Sequence, residues 1–260
     1  MLRPRIIPCL LIDNGGLVKT KHFKEPKYIG DPINTVKIFN EKNADELMIL
    51  DISATKKSLS PNFELIEKLA VECRMPLCYG GGVTSSKEAI RLVDLGVEKV
   101  AFSSAAIHRP SIISETALEV GSQSVVVVLD IIKKISIMKK SSYKLCSHNA
   151  KKIHDIDPLI FFKRCQDEGA GEIVINMVNK DGSMEGYDLD FVSKIKSISK
   201  VPITFLGGAG SLSDIKKLVN CFGIVGAAAG SLFVFKGKYR AVLINYPNFE
   251  EKLGACSTAI

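Results

Sequence analysis

The residues best placed to do chemistry are glycines and hydroxyls in two matched sets. Gly80-Gly81-Gly82 with Ser103-Ser104 make one set, and Gly207-Gly208 with Gly230-Ser231 make the other. Each cluster follows a short apolar run and precedes a turn into helix, where main-chain N–H groups and hydroxyls converge. That is anion chemistry, and phosphate is the usual anion. A lone glycine triplet would read as a tight turn chosen for backbone geometry. Here the whole stretch 202–233 repeats an earlier one: Gly207 falls on Gly80, Gly208 on Gly81, Gly223 on Gly96 and Ser231 on Ser104, at an offset of 127. Two phosphate turns in register, diametrically opposed on one scaffold, predict a ligand with a phosphate at each end. A second set is charged. Arg5, Glu46, Lys99 and Glu172 each open an apolar run. Buried charge is tolerated when it is paired, so these four are expected to form a salt-bridge plug.

The elements that must position these residues can be marked along the chain. Apolar runs of strand type cover 5–12, 46–52, 76–79, 99–102, 125–131, 172–178, 203–206 and 224–228. Their near-continuous apolar content suits parallel strands covered on both faces. Helix-period segments lie between them at 32–42, 62–73, 85–95, 110–120, 158–168, 189–199 and 212–220, the first with Asp31 as N-cap and Pro32 at the first helical position. Asp31-Pro32 recurs as Asp157-Pro158 and Glu46 as Glu172 at an offset of 126, and 5–12 matches 124–131 at an offset of 119. Eight alternating units without a linker predict one (β/α)8 barrel rather than an open doubly wound sheet. Its half-barrels span about 1–120 and 121–245, with a tail at 246–260.

Composition narrows the function. At 260 residues and 46% hydrophobic, the chain can bury a large core. The net charge of +7 is scattered, aromatics are 7% and tryptophan is absent, which argues against a nucleic-acid reader. Seven cysteines form no CxxC pair, which argues against a disulfide framework or a zinc site and for a reducing compartment. No segment has the pattern of a signal peptide or the length of a membrane span, so a cytoplasmic location is expected. Nothing calls for a metal or a cofactor.

At this point the chain resembles the HisF family, the cyclase subunits of imidazole glycerol phosphate synthase. The resemblance rests on RIIPCL, VKT, GDP, DELMILDISA, YGGGV, GVEKV, SSAA, GSQSVVV, GAGEI, NKDGSMEGYD and GGAG, in order over nearly the full chain. It implies a (β/α)8 barrel that binds a bisphosphorylated substrate and accepts ammonia from a HisH-type glutaminase docked at the strand-start face, around Glu98. It implies one phosphate site at Gly82, Ser103 and Ser104, where the family usually has Asn-Thr in place of the serines. It implies a second at Asp181, Gly182, Gly207, Gly208, Gly230 and Ser231. Lys19, Asp51 and Gln123 match further substrate positions, and Arg5, Glu46, Lys99 and Glu172 match the gate through which ammonia enters.

One position departs from the family. The cyclase uses two facing carboxylates, whose environments push their pKa values apart so that one gives and one takes a proton. Asp130 matches the acid, but the base position is Leu11, which the repeat places directly on Asp130. Asp13 is on the same strand face, roughly 6–7 Å further along, and is the candidate substitute. The chain is also similar to a divergent branch of the family associated with acetamidino modification of surface-polysaccharide sugars. There a barrel of this kind pairs with a glutaminase and serves a separate sugar amidotransferase.

Overall fold

Eight parallel strands close on themselves. In this computed structural model, which describes residues 3–135 and 141–257, they are β1 (Arg5–Asp13), β2 (Leu47–Asp51), β3 (Leu77–Gly80), β4 (Lys99–Phe102), β5 (Val125–Ile135), β6 (Glu172–Met177), β7 (Ile203–Leu206) and β8 (Gly226–Ala229). Successive strands pair in parallel, and β8 pairs with β1 to complete the circle. The outer layer is α1 (Pro32–Glu41), α2 (Phe63–Glu72), α3 (Ser86–Asp94), α4 (Ser111–Val120), α5 (Pro158–Asp167), α6 (Leu189–Lys196), α7 (Leu212–Phe222) and α8 (Phe249–Cys256). The last of these lies in the stretch read from sequence as a tail.

Strand alternation sorts the apolar residues into two cores. On β1, Ile6, Leu10 and Ile12 point out to pack against the helices, whereas Ile7 and Cys9 point in. The inward residues Met48, Cys78, Val126, Val128 and Leu206 join them to fill the lumen.

The duplication is visible in how helices start. Asp31 accepts from Asn34 N at 2.8 Å and Asp157 from Leu159 N at 2.7 Å, each just before a proline. Ser85 with Glu88 and Ser211 with Asp214 form matching capping boxes at α3 and α7. Two antiparallel additions break the symmetry. A hairpin of Gly16–Lys21 and Lys24–Gly30 continues β1, and an arm at Ser141–Ser147 folds back on the long β5. No helix among the described residues is long and apolar enough to cross a membrane. Asp31→Ala and Asp157→Ala should each cost roughly 0.5–2 kcal/mol in urea denaturation; no loss in either would remove these caps from the account of the fold.

A two-ended candidate site at the barrel mouth

The strand C-terminal ends surround a cavity of about 520 Å³. Gly81 and Gly208, related by the repeat, have φ of 121° and 111°, and a Cβ would strike the Asp51 carbonyl at one and the Gly186 carbonyl at the other. Only glycine lets the backbone pass so close with this φ. The first cradle comprises Gly82, Ser103 and Ser104, and the second Gly182, Gly207, Gly208, Gly230 and Ser231; all line the cavity. The Ser231 hydroxyl is buried with no hydrogen-bond partner, which suits an oxygen-rich ligand.

Lys19 and Asp181 meet each other in the wall. Lys19 is 7% exposed and ion-pairs with the Asp181 carboxylate, which also accepts from Thr20 Oγ1 at 2.7 Å and Phe23 N at 3.0 Å. One carboxylate thus pins the β1 hairpin against the second cradle. Asp51 likewise works locally, accepting from Ser53 N at 2.8 Å, Ser53 Oγ at 2.7 Å and Ala54 N at 3.0 Å. It orders the loop behind the first cradle.

Asp130 lies at the end of the lumen, accepting from Asn176 Nδ2 at 2.8 Å and Ser103 Oγ at 3.4 Å. Although it borders the cavity, the surrounding protein desolvates it and pushes its carboxyl up to about 7; Asn176 and Ser103 oppose the shift, and Asp181 adds to it. A carboxyl so poised can give or take a proton near neutrality. Leu11 also lines the cavity and packs with Leu50 on the lumen's apolar layer. Leu11 is opposite Leu50 in the β1–β2 register, as Asp130 is opposite Asn176 in β5–β6. The offset relating Glu46 to Glu172 relates Leu50 to Asn176. One half-barrel offers two leucines where the other offers an acid and its amide partner.

Two expected residues are not brought to the cavity. Asp13 pairs with Gly16 at the root of the hairpin and accepts from Asn14 Nδ2 at 3.1 Å, outside the cavity lining. The hairpin turn carries its side chain past the mouth. Gln123 is exposed in a turn at Ser122–Ser124 that precedes β5, so it lies at the opposite end of the barrel from the strand termini.

At that opposite end the four charges meet. Arg5 bonds Glu46 and Glu172, the latter at 2.8 Å, and Lys99 Nζ is 2.8 Å from both carboxylates. Thr204 Oγ1 also donates to Glu172. Burial raises the Glu172 carboxyl, but Lys99 and Arg5 outweigh it and hold it below the usual carboxylate range.

Sequence reasoning missed Asn176 and the histidines His108 and His148, which line the same cavity. Asn176 had a signal: apart from Glu172 it is the one polar residue of the EIVINM strand, and it shares the inward alternation of Glu172 and Val174. The histidines are scattered in sequence and had none. Because the folded-state pKa of Asp130 is raised from 3.8 to about 7, its contribution to stability is complete below the lower value and lost as pH rises through the higher. Wild type should therefore lose stability relative to D130N between about pH 4 and pH 8 in thermal melts; a flat difference would place the carboxyl in water.

Known proteins fit this geometry. Residues 5–240 match the family described as "Histidine biosynthesis protein". A Vibrio vulnificus protein named "Putative imidazole glycerol phosphate synthase subunit hisF3" is 55% identical over 97% of this chain and 96% of its own length. A Pseudomonas aeruginosa protein with the same name ending in hisF2 is 46% identical over 95% and 97%. The Oceanobacillus iheyensis "Imidazole glycerol phosphate synthase subunit HisF" is 34% identical over 96% and 97%. With its closed barrel, paired cradles and charged floor, the chain belongs to the HisF family.

Proposed function

We propose that this chain is a HisF-type synthase subunit that takes ammonia from a HisH-type glutaminase at its floor and carries it to the mouth without the paired-carboxylate cyclisation. The ammonia then serves a sugar amidotransferase in acetamidino sugar formation for a surface polysaccharide. The observation that carries the reading is Leu11. It extends the apolar lumen to the cavity at the place related by the repeat to Asp130. Leucine cannot move a proton, and the loss of one of two acid–base groups costs about 10²–10⁴ in rate.

The remaining parts fit transport. The lumen is filled by aliphatic side chains, Met48 and the un-ionised thiols of Cys9 and Cys78, so a path opened through it would favour neutral ammonia over ammonium. At the entrance Arg5 and Lys99 are neutralised by Glu46 and Glu172, so the ring carries no net charge that would favour ammonium over uncharged ammonia. The floor ring closes the lumen at its entrance, so passage requires one of its ion pairs to part.

A second reading is a working cyclase that converts PRFAR and ammonia to imidazole glycerol phosphate and AICAR, with Asp130 serving as both acid and base. It is favoured by Asp130 itself, whose carboxyl is poised at about 7, and by two cradles that suit a bisphosphate. Turnover of PRFAR with ammonium salts separates the two. Leu11→Asp should raise the rate by about 10²–10⁴ over wild type, whereas equal rates would favour the working cyclase. Lys99→Glu and Glu46→Lys should each weaken the glutaminase complex in titration calorimetry and uncouple glutamine hydrolysis from ammonia use; complexes and coupling left intact by both would refute docking at the floor.

A further inference from the structure

Three of the four histidines cluster together, and two of them, His108 and His148, line the cavity. His108 ends a short helix after β4, and His148 and His154 follow the arm folded on β5. The His108 ring centroid is 6.0 Å from that of His148 and 5.9 Å from that of His154, at 73° to each. Behind them the fully buried Ser147 hydroxyl is 2.9 Å from His148 Nδ1 and 2.8 Å from His154 Nε2. A hydroxyl has one proton, so it can donate to one ring while accepting from the other, which fixes how both are oriented. Among the described residues no carboxylate is ion-paired with any of the three rings. Burial lowers the His154 pKa, and Lys152, His108 and His148 push it the same way.

Loop geometry directs His148 inward. His148, Asn149 and Ala150 have φ of 54°, 56° and 60°, a left-handed turn without glycine. Asn149 Nδ2 donates to the Ile52 carbonyl at 3.2 Å, so the loop spans from the β5 arm to the end of β2. His108, His148 and Asn149 thereby line the cavity together with Gly82, Ser103 and Ser104.

We propose that His148 and His108 form an imidazole wall that completes the first cradle and binds a dianionic phosphate or sulfate more tightly as the rings gain protons. The inference rests on the reading of the cavity as a two-ended phosphate site. An anion supplies the counter-charge that the three rings lack, and the wall offers charged donors where Ser103 and Ser104 offer hydroxyls. Other charges face this end. Arg109 is held by Glu115 at 2.6 Å, Lys152 adds positive charge, Asp51 is engaged by its own loop, and Asp130 touches Ser103. Asp130, pushed up to about 7, also gains a proton as pH falls and so acts in the same direction. Its part cancels when variants that retain it are compared with wild type.

Inorganic sulfate is the probe, because it stays a dianion across the range. Amide NMR shifts of Gly82 and Gly208 report the two ends separately. At the Gly82 end, wild type should bind sulfate about tenfold more tightly at pH 5.5 than at pH 8. His148→Gln and His108→Gln should each remove most of that difference, while the Gly208 end keeps its affinity and loses it in Ser231→Ala. Unchanged pH dependence at the Gly82 end in both histidine variants would overturn the wall and leave the two-ended site standing. Absence of sulfate shifts at either end would overturn both.

Discussion

The structure depends on a ring of four charges at the floor of the barrel. Arg5, Glu46, Lys99 and Glu172 alternate in sign, and both glutamates are almost fully buried. Charges so placed are stable only in company: removing one partner from such a pair costs roughly 3–5 kcal/mol, because the other is left buried and unpaired. Three members come from the first half-barrel and Glu172 from the second. Glu172 touches both cations, so the ring fixes how the halves meet. Hydrophobic burial alone is non-directional and would tolerate many arrangements of aliphatic strands. The ring tolerates few.

Much of this was legible in the sequence because a duplication makes every motif testable against its copy. Strands, helices, cradle glycines and the two floor glutamates could be checked at offsets of 119, 126 and 127. What was not legible has no copy. The β1 hairpin and the β5 arm differ between halves, and antiparallel additions of this kind depend on tertiary contacts such as Asp181 to Phe23 N. Asp13 and Gln123 were misplaced for a related reason. Alternation says which face a residue takes, but a hairpin turn or a turn before a strand decides which end it reaches. The histidines were hidden because 40 residues separate His108 from His148 and the left-handed loop that joins them spatially uses no glycine to announce it.

The mouth of the barrel shows how duplication can be put to unequal use. Leu11 and Leu50 occupy the positions that Asp130 and Asn176 occupy in the other half. On one side the lumen continues as hydrocarbon; on the other it ends at a desolvated carboxyl and its amide partner. An acid–base pair needs two groups in different environments, and here the environments persist while one group is absent. The cradles, by contrast, remain paired. The glycine turns at the two ends are therefore separable from the residues between them, since their backbone geometry does not depend on which side chains stand there.

The hairpin held by Asp181 has a kinetic consequence. The carboxylate that takes the Lys19 ammonium, the Thr20 hydroxyl and the Phe23 amide sits beside the second cradle, and Arg240 donates to the neighbouring Gly182 carbonyl. Under the two-ended reading proposed above, a phosphate at that cradle would compete for Lys19 with a buried carboxylate already in place. Entry would then be coupled to loosening of the contacts that hold the hairpin. Association at this end should be slow compared with diffusion and insensitive to solvent viscosity, and the ligand's residence time should follow the opening rate of the hairpin rather than the strength of any single contact.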